Sequence, residues 1–263
     1  MNWIATTLRT LLIASVLAGT SMNAFGFMGF GGSKSWKEEV LLHDGRKIVV
    51  ERTVERGGRH EIGQKPPYKE QRLRFGSPAT GQIVEWQDHF SQDLGQANFL
   101  PFALGIVKST PFLVVVPMGC LAYNKWGRPN PSYVIFKYDG KEWMRISLQD
   151  LPKEIQTPNL IFSMPDIEVE RLGVNFVSGE QIKKLLADYR QPEYQTILRE
   201  PVKPGTVEGA NVNCSELVPY GNGGWMGLDW FSDQPTYEAC LKLCEGKRVS
   251  QNNCPCARLF KGK

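Results

Sequence analysis

The stretch EEVLLHDGRKIVVERTVER, Glu38 to Arg56, decides the fold. Two β-branched runs flank His43, Asp44 and Gly45, and an Asp-Gly pair supplies the positive φ angles that a tight hairpin turn requires. Along the second run Ile48, Val50 and Val54 share a face with Arg52, while Val49, Glu51 and Thr53 share the other. That alternation predicts a half-buried antiparallel strand.

Downstream the chain repeats this pattern of short strands and turns. Gly57 to Gln71 reads as a loop, because Pro66 and Pro67 cannot donate to a β ladder. Short strands are expected at Arg72 to Phe75 and Gln82 to Trp86. Phe99 to Lys108 and Pro111 to Met118 are more apolar, and the second, with FLVVV at its centre, is the candidate for a fully buried strand. Tyr133 to Tyr138 and Glu142 to Ile146 flank another Asp-Gly turn at Asp139 and Gly140. The two turns HDGRK and YDGKE are alike, but their flanks do not repeat at a fixed period, which argues against a propeller or solenoid. The clearest helix is SGEQIKKLLADYR, residues 178–190, with Ser178 as N-cap, Gln181 completing a capping box, and Ile182, Leu185, Leu186 and Tyr189 on one face. A strand at Gln195 to Arg199 is expected to rejoin a sheet. The predicted class is therefore mainly β within α+β: an antiparallel sheet or sandwich with one clear helix, residues 36–200, then a linker, 201–213, and a small disulfide-stapled unit, 214–263.

The chain opens MNWIATTLRTLLIASVLAGTSMNAFG, with Arg9 before an apolar stretch from Leu11 to Ala18 and small residues up to Ala24, the order of a secretory signal peptide. Residues 1–24 are read as that signal and 25–35 as a glycine-rich lead. The uncharged run from Thr10 to Ser33 admits a retained inner-membrane anchor as the alternative, since about 20 apolar residues span a bilayer. Its glycines and Asn23 dilute the second half. The short leader looks bacterial, so the expected location is periplasmic or secreted, where disulfides persist. A net charge of +4, or +3 once Arg9 is removed, is too small to imply nucleic-acid binding. Membrane contact is expected only through an uncleaved leader or the basic tail from Lys242 to Lys263.

All six cysteines, Cys120, Cys214, Cys240, Cys244, Cys254 and Cys256, lie beyond the leader, an even count suited to full pairing. SDQPTYEACLKLCEG reads as a short helix with Ser232 or Asp233 near its N-cap, Pro235 in its first turn and Gly246 as left-handed terminator. Cys240 and Cys244 then project from one face, and Cys254 and Cys256 can fold back onto it. One such bridge, closing a loop of about 15 residues, contributes roughly 3 kcal/mol by chain entropy. A four-thiolate zinc site is the alternative, but the one-residue spacing of Cys254 and Cys256 suits it poorly. Cys120 is expected to pair, with Cys214 as its candidate partner. From Cys214 the stretch CSELVPYGNGGWMGLDWFSDQPTYEACLKLC resembles secreted PAN/apple modules, in which a helix bearing two cysteines one turn apart is tied to a sheet; the Cys254-Pro-Cys256 ending departs from that pattern. Through EEVLLHDGRKIVVER and YNKWGRPNPSY the whole chain resembles exported proteobacterial proteins with no assigned activity.

Catalytic signals are sparse. Only His43, His60 and His89 exist, with no HExxH, no nucleophile elbow and no phosphate-binding glycine loop, so neither a cofactor nor a metal is expected. Adjacent Asp88 and His89 would face opposite sides of a strand. The candidate ligand-binding residues are Trp126, Arg128 and Asn130 in AYNKWGRPNPSY, and Trp225, Asp229 and Trp230 in GNGGWMGLDWFSD. An indole beside polar groups can stack on a sugar or peptide; the competing reading is that these aromatics fold inward over the core. The expected function is that of a non-enzymatic envelope protein binding a glycan, peptide or protein partner through the Trp126 loop. A periplasmic hydrolase with loop-borne acids and an anchored envelope scaffold are the alternatives.

Overall fold

The computed structural model describes residues 32–58, 60–203, 213–221 and 223–261. The predicted signal, all but residues 32–35 of the glycine-rich lead, and most of the predicted linker lie outside the described residues. β1 (Ser33–Leu41) and β2 (Lys47–Arg56) make the predicted hairpin, with Gly45 at φ 82° and its N–H donating to the Leu42 carbonyl. β3 (Tyr68–Gly76) and β4 (Ile83–Asp88) continue it antiparallel. β5 (Phe99–Val107), β6 (Thr110–Pro117), β7 (Val134–Tyr138) and β8 (Trp143–Ile146) form a second antiparallel sheet in sequence order, with α1 (Gly119–Lys125) between β6 and β7. After α2 (Pro165–Leu172), β9 (Phe176–Val177) pairs in parallel with β1, so the first sheet runs β4-β3-β2-β1-β9. α3 (Gly179–Ala187) and α4 (Pro192–Gln195) follow. The C-terminal unit holds the hairpin β10 (Leu217–Tyr220) and β11 (Gly224–Gly227), then α5 (Asp229–Ser232), α6 (Tyr237–Gly246) and α7 (Cys256–Leu259).

The second sheet is covered on both faces, which is why β6 reads as a continuous apolar run. Phe112, Val114 and Val116 pack with Tyr133, Ile135 and the residues Leu151, Ile155, Ile182 and Leu186; Leu113 and Val115 pack with Val134 and Phe136 against the first sheet. The inner face of the first sheet divides between these cores. Val40, Val50, Leu73, Phe75, Val84 and Trp86 join one, and Trp36, Val54 and Tyr68 join the other.

An ion pair stands on the dividing line. Glu38 and Arg52 are 0% and 2% exposed and meet at 2.9 Å. Glu38 Oε1 also accepts from Trp36 Nε1 at 2.7 Å, Glu38 Oε2 accepts from the Ile161 N–H at 3.0 Å, and Arg52 Nη1 donates to the Ile161 carbonyl at 2.7 Å. A buried charge is tolerated when it is paired and hydrogen-bonded. Both charges here fasten the chain just before α2 to the first hairpin. Close by, the Asn159 side chain takes the place of a strand beside β5: its Oδ1 accepts from Leu104 N–H at 2.8 Å, and its Nδ2 donates to the carbonyls of Leu104 and Leu41 at 2.8 and 2.9 Å.

Five expectations need correction. The predicted Gly57 to Gln71 loop ends at Pro67, because Tyr68 to Gln71 already pair with β2 as the start of β3. Gln195 to Arg199 is no strand: α4 ends at Gln195, the Ile197 N–H goes to Gln156, and the Arg199 guanidinium holds the carbonyls of Leu151, Pro152 and Ile155. Side-chain anchoring replaces ladder pairing there. Thr236, rather than Ser232 or Asp233, caps α6, its Oγ1 accepting from Ala239 N–H at 3.1 Å; Ser232 closes α5 instead. Gly246 ends α6 in helical conformation, and the left-handed residue is Arg248 at φ 54°. The predicted Ala122 to Tyr133 loop begins inside α1, whose C-cap is Trp126. The capping box at Ser178 and Gln181 is present as expected.

Candidate ligand groove

Three disulfides build the C-terminal unit and fix it to the β body: Cys120–Cys214, Cys240–Cys256 and Cys244–Cys254, leaving no free cysteine. Such bonds mark an oxidising compartment. No helix among the described residues is long and apolar enough to cross a membrane. The unit has its own small core, in which Cys240, Cys244 and Cys256 pack with Val218, Met226 and Phe231.

α1 supplies the seam. Cys120 lies in its first turn, and Asn124 one turn later donates to the Ser215 carbonyl at 3.0 Å and accepts from the Leu217 N–H at 2.8 Å. Gly127 at φ 85° and Arg128 at φ 52° turn the chain back, so that the Arg128 guanidinium reaches Asn124 Oδ1, Ser215 O and Cys214 O at 3.0, 3.0 and 2.7 Å. From the other side Trp225 on β11 donates its Nε1 to the Asp93 carbonyl at 2.9 Å. Asp93 in turn accepts from Lys125 Nζ at 2.8 Å and from Ser91 Oγ. Burial pushes the Asp93 carboxyl up, but those two donors more than offset it and hold it below the ordinary range.

Between these anchors runs an open groove of about 620 Å³. Trp225 supplies an aromatic surface, Asn252 and Asn253 supply amides, and the ion pairs Lys125–Asp93 and Glu216–Arg258 supply charge that is already matched, while the Asn124 amide on the wall is spent on the seam. β10 forms part of the floor. Its Leu217 N–H is taken by Asn124, and two residues on, at the same orientation, Pro219 has no N–H to offer. A guest strand cannot simply extend this hairpin, so recognition falls to the side chains.

The sequence-predicted residues are distributed unevenly around the groove. Trp225 lines it. Arg128 shapes it from behind through the Cys214 and Ser215 carbonyls. Asn130 exchanges hydrogen bonds of 2.8 and 2.7 Å with the main chain of Val202. Trp126 is half-buried: its ring lies 4.5 Å from Phe99, its Nε1 donates to Asn98 Oδ1 at 3.1 Å, and Arg145 covers it at 5.6 Å. Asp229 and Trp230 stand outside the groove, with the Trp230 indole 57% exposed. Sequence reasoning missed Asp93, Lys125, Glu216 and Arg258, because each becomes part of a site only when distant segments meet. The neighbouring pair Asn252 and Asn253 was the one local signal.

Behind Trp126 lies a buried acid. Asp88 Oδ2 accepts from the backbone N–H groups of Asn98 and Phe99 at 2.8 and 2.7 Å, and Oδ1 accepts from Asn98 Nδ2 at 2.8 Å. Burial pushes its carboxyl up to about 6 despite these donors. His89, just beyond the end of β4, is exposed and shares a depression of about 160 Å³ with Glu55 and Glu70. His43 lines a separate cavity of about 310 Å³ with Glu39, Glu154 and Lys183 at its rim and Ile155 and Ile182 among its apolar walls.

Compared with protein-family models, curated proteins and solved structures, the chain matches none. The functional reading therefore rests on this geometry.

Proposed function

We propose that the chain is an exported, non-enzymatic protein of the bacterial envelope that holds a glycan, peptide or protein partner in the groove beside Trp225. The observation that carries this reading is the composition of the groove: an indole and two amides around two self-neutralised ion pairs, a surface suited to a polar ligand of low net charge. Matched charges give no field to draw in a nucleic acid. The leader-like first residues and the three disulfides support export. A bacterial periplasm suits both.

Ala257 is exposed on the groove wall, so Ala257→Trp fills the space without disturbing a core. Retention of the purified protein on isolated envelope material is expected to fall by more than tenfold in Ala257→Trp and in the double variant Asn252→Ala, Asn253→Ala, with thermal unfolding unchanged. Undiminished retention in both would overturn the reading. The hydrolase alternative rests on Glu55, Glu70 and His89 lining one depression; that bowl lies on a solvated sheet face and has no enclosure to exclude water. The anchored-scaffold alternative depends on residues 10–33, nearly all of which fall outside the described residues.

A further inference from the structure

The two C-terminal disulfides touch. Cys256 Sγ lies 3.5 Å from Cys244 Sγ and 3.4 Å from Cys254 Sγ, so each sulfur of the Cys244–Cys254 bond sits against Cys256 of its neighbour. The sulfurs of Cys244, Cys254 and Cys256 all lie within 4.8 Å of one another. Two structural staples have no need of such proximity: Cys120–Cys214 secures its junction alone. Access is graded as well. Cys254 lines the groove and is partly exposed, whereas Cys240, Cys244 and Cys256 are buried.

We propose that these two bonds form one thiol–disulfide exchange site, reached at Cys254 from the groove, in which reduction of Cys244–Cys254 is passed internally to Cys240–Cys256. The reductant is a dithiol, small or protein-borne. Its thiolate attacks Cys254 Sγ, forming a mixed disulfide and expelling Cys244 as thiolate. Cys244 attacks Cys256 Sγ at its 3.5 Å separation, forming Cys244–Cys256 and releasing Cys240 as thiolate. The second thiol of the reductant then resolves the mixed disulfide, freeing Cys254. Two electrons and two protons leave the dithiol, which becomes a disulfide; the protein gains thiols at Cys240 and Cys254 and keeps one new bond. If the freed Cys254 attacks Cys256 in its turn, across 3.4 Å, the bond becomes Cys254–Cys256 and the thiols are Cys240 and Cys244. Cys240 is the common terminus. It lies in the first turn of the ten-residue α6, where the positive end of the helix favours its thiolate as leaving group and works against the cost of its burial.

The test is a titration of the full oxidised chain with dithiothreitol to the two-electron-reduced species, acid quenching, alkylation in denaturant and peptide mapping. Label on Cys240 together with Cys254 or Cys244 is the expected result. Label confined to Cys244 and Cys254 would show two independent staples, and label on Cys240 and Cys256 alone would show direct attack on the inner bond; either overturns the proposal. Label appearing first on Cys120 and Cys214 does so too. In the double variant Cys240→Ser, Cys256→Ser, label is expected on Cys244 and Cys254. The wild-type pattern decides the matter even if that variant fails to fold. None of these outcomes depends on whether the groove holds a glycan or peptide.

Discussion

Replacing Glu38 by Gln keeps the shape of the side chain and removes its charge. Arg52 then stays buried at 2% exposure with a neutral amide and the Ile161 carbonyl as its acceptors, and one of the three donors around the former carboxylate faces an NH2 group. Breaking a buried pair from one side costs about 3–5 kcal/mol. For a folded body of this size that lowers Tm by roughly 6–20 °C, taking about 2–4 °C per kcal/mol. Urea denaturation with the disulfides intact measures the loss, and the m-value should not change. The companion variant, Glu38→Met with Arg52→Met, removes both charges. It relieves the desolvation of two ions but leaves Trp36 Nε1, the Ile161 N–H and the Ile161 carbonyl without their partners, so it should recover little of the loss. Each of those three groups costs about 1–3 kcal/mol when left unpaired. A Glu38→Gln variant within about 0.5 kcal/mol of wild type, the range usual for surface substitutions, would refute the reasoning. A double variant as stable as wild type would refute it equally.

Other outcomes follow from named geometry. Asp88 titrates near 6 in the folded chain, pushed up by burial, and near about 3.9 unfolded, so the folded state binds the extra proton between those values and its stability falls as pH rises from about 4 to about 6, by roughly 3 kcal/mol. Asp88→Asn should flatten that slope in denaturation series at successive pH values; an unchanged slope contradicts the assignment. Removing the Cys120–Cys214 bond by paired Ser substitution opens a loop of sequence separation 94 and should cost up to about 4.7 kcal/mol, seen as earlier proteolytic release of the C-terminal unit. Gly105→Ala places a Cβ 2.3 Å from Ile155 Cδ1, and overpacking of about 1–3 kcal/mol should appear as a lowered denaturation midpoint.

What the sequence made legible was local. The Asp44-Gly45 hairpin, the Ser178 capping box and the continuous burial of β6 depend on neighbours a few residues apart, and each stands where the pattern put it. Arg52 could be placed on the inward face by alternation alone. Its partner could not: what makes the charge tolerable is the main chain of Ile161, more than a hundred residues away. The even cysteine count announced full pairing, while the connectivity needed the fold. Trp126 and Trp225 looked alike in sequence, each in a Gly-rich polar setting. Only the packing separates them, because Asn98, Phe99 and Arg145 surround the first, while the second lines the seam between two units. A groove drawn from the segments around Asp93, Asn124, Glu216 and Asn252 has no signature in any single window.

The side-chain amide of Asn159 that lies against β5 also has a negative role. A strand flank with free N–H and C=O groups invites pairing with another molecule. Here both backbone groups of Leu104 are engaged by one residue, so an incoming chain must first displace Asn159. Protection of this border against self-templated assembly is thus shared between that amide and the Asn159 and Leu160 N–H groups that hold the Phe102 carbonyl, and shortening the amide would open the Leu104 donor and acceptor to a neighbour at once.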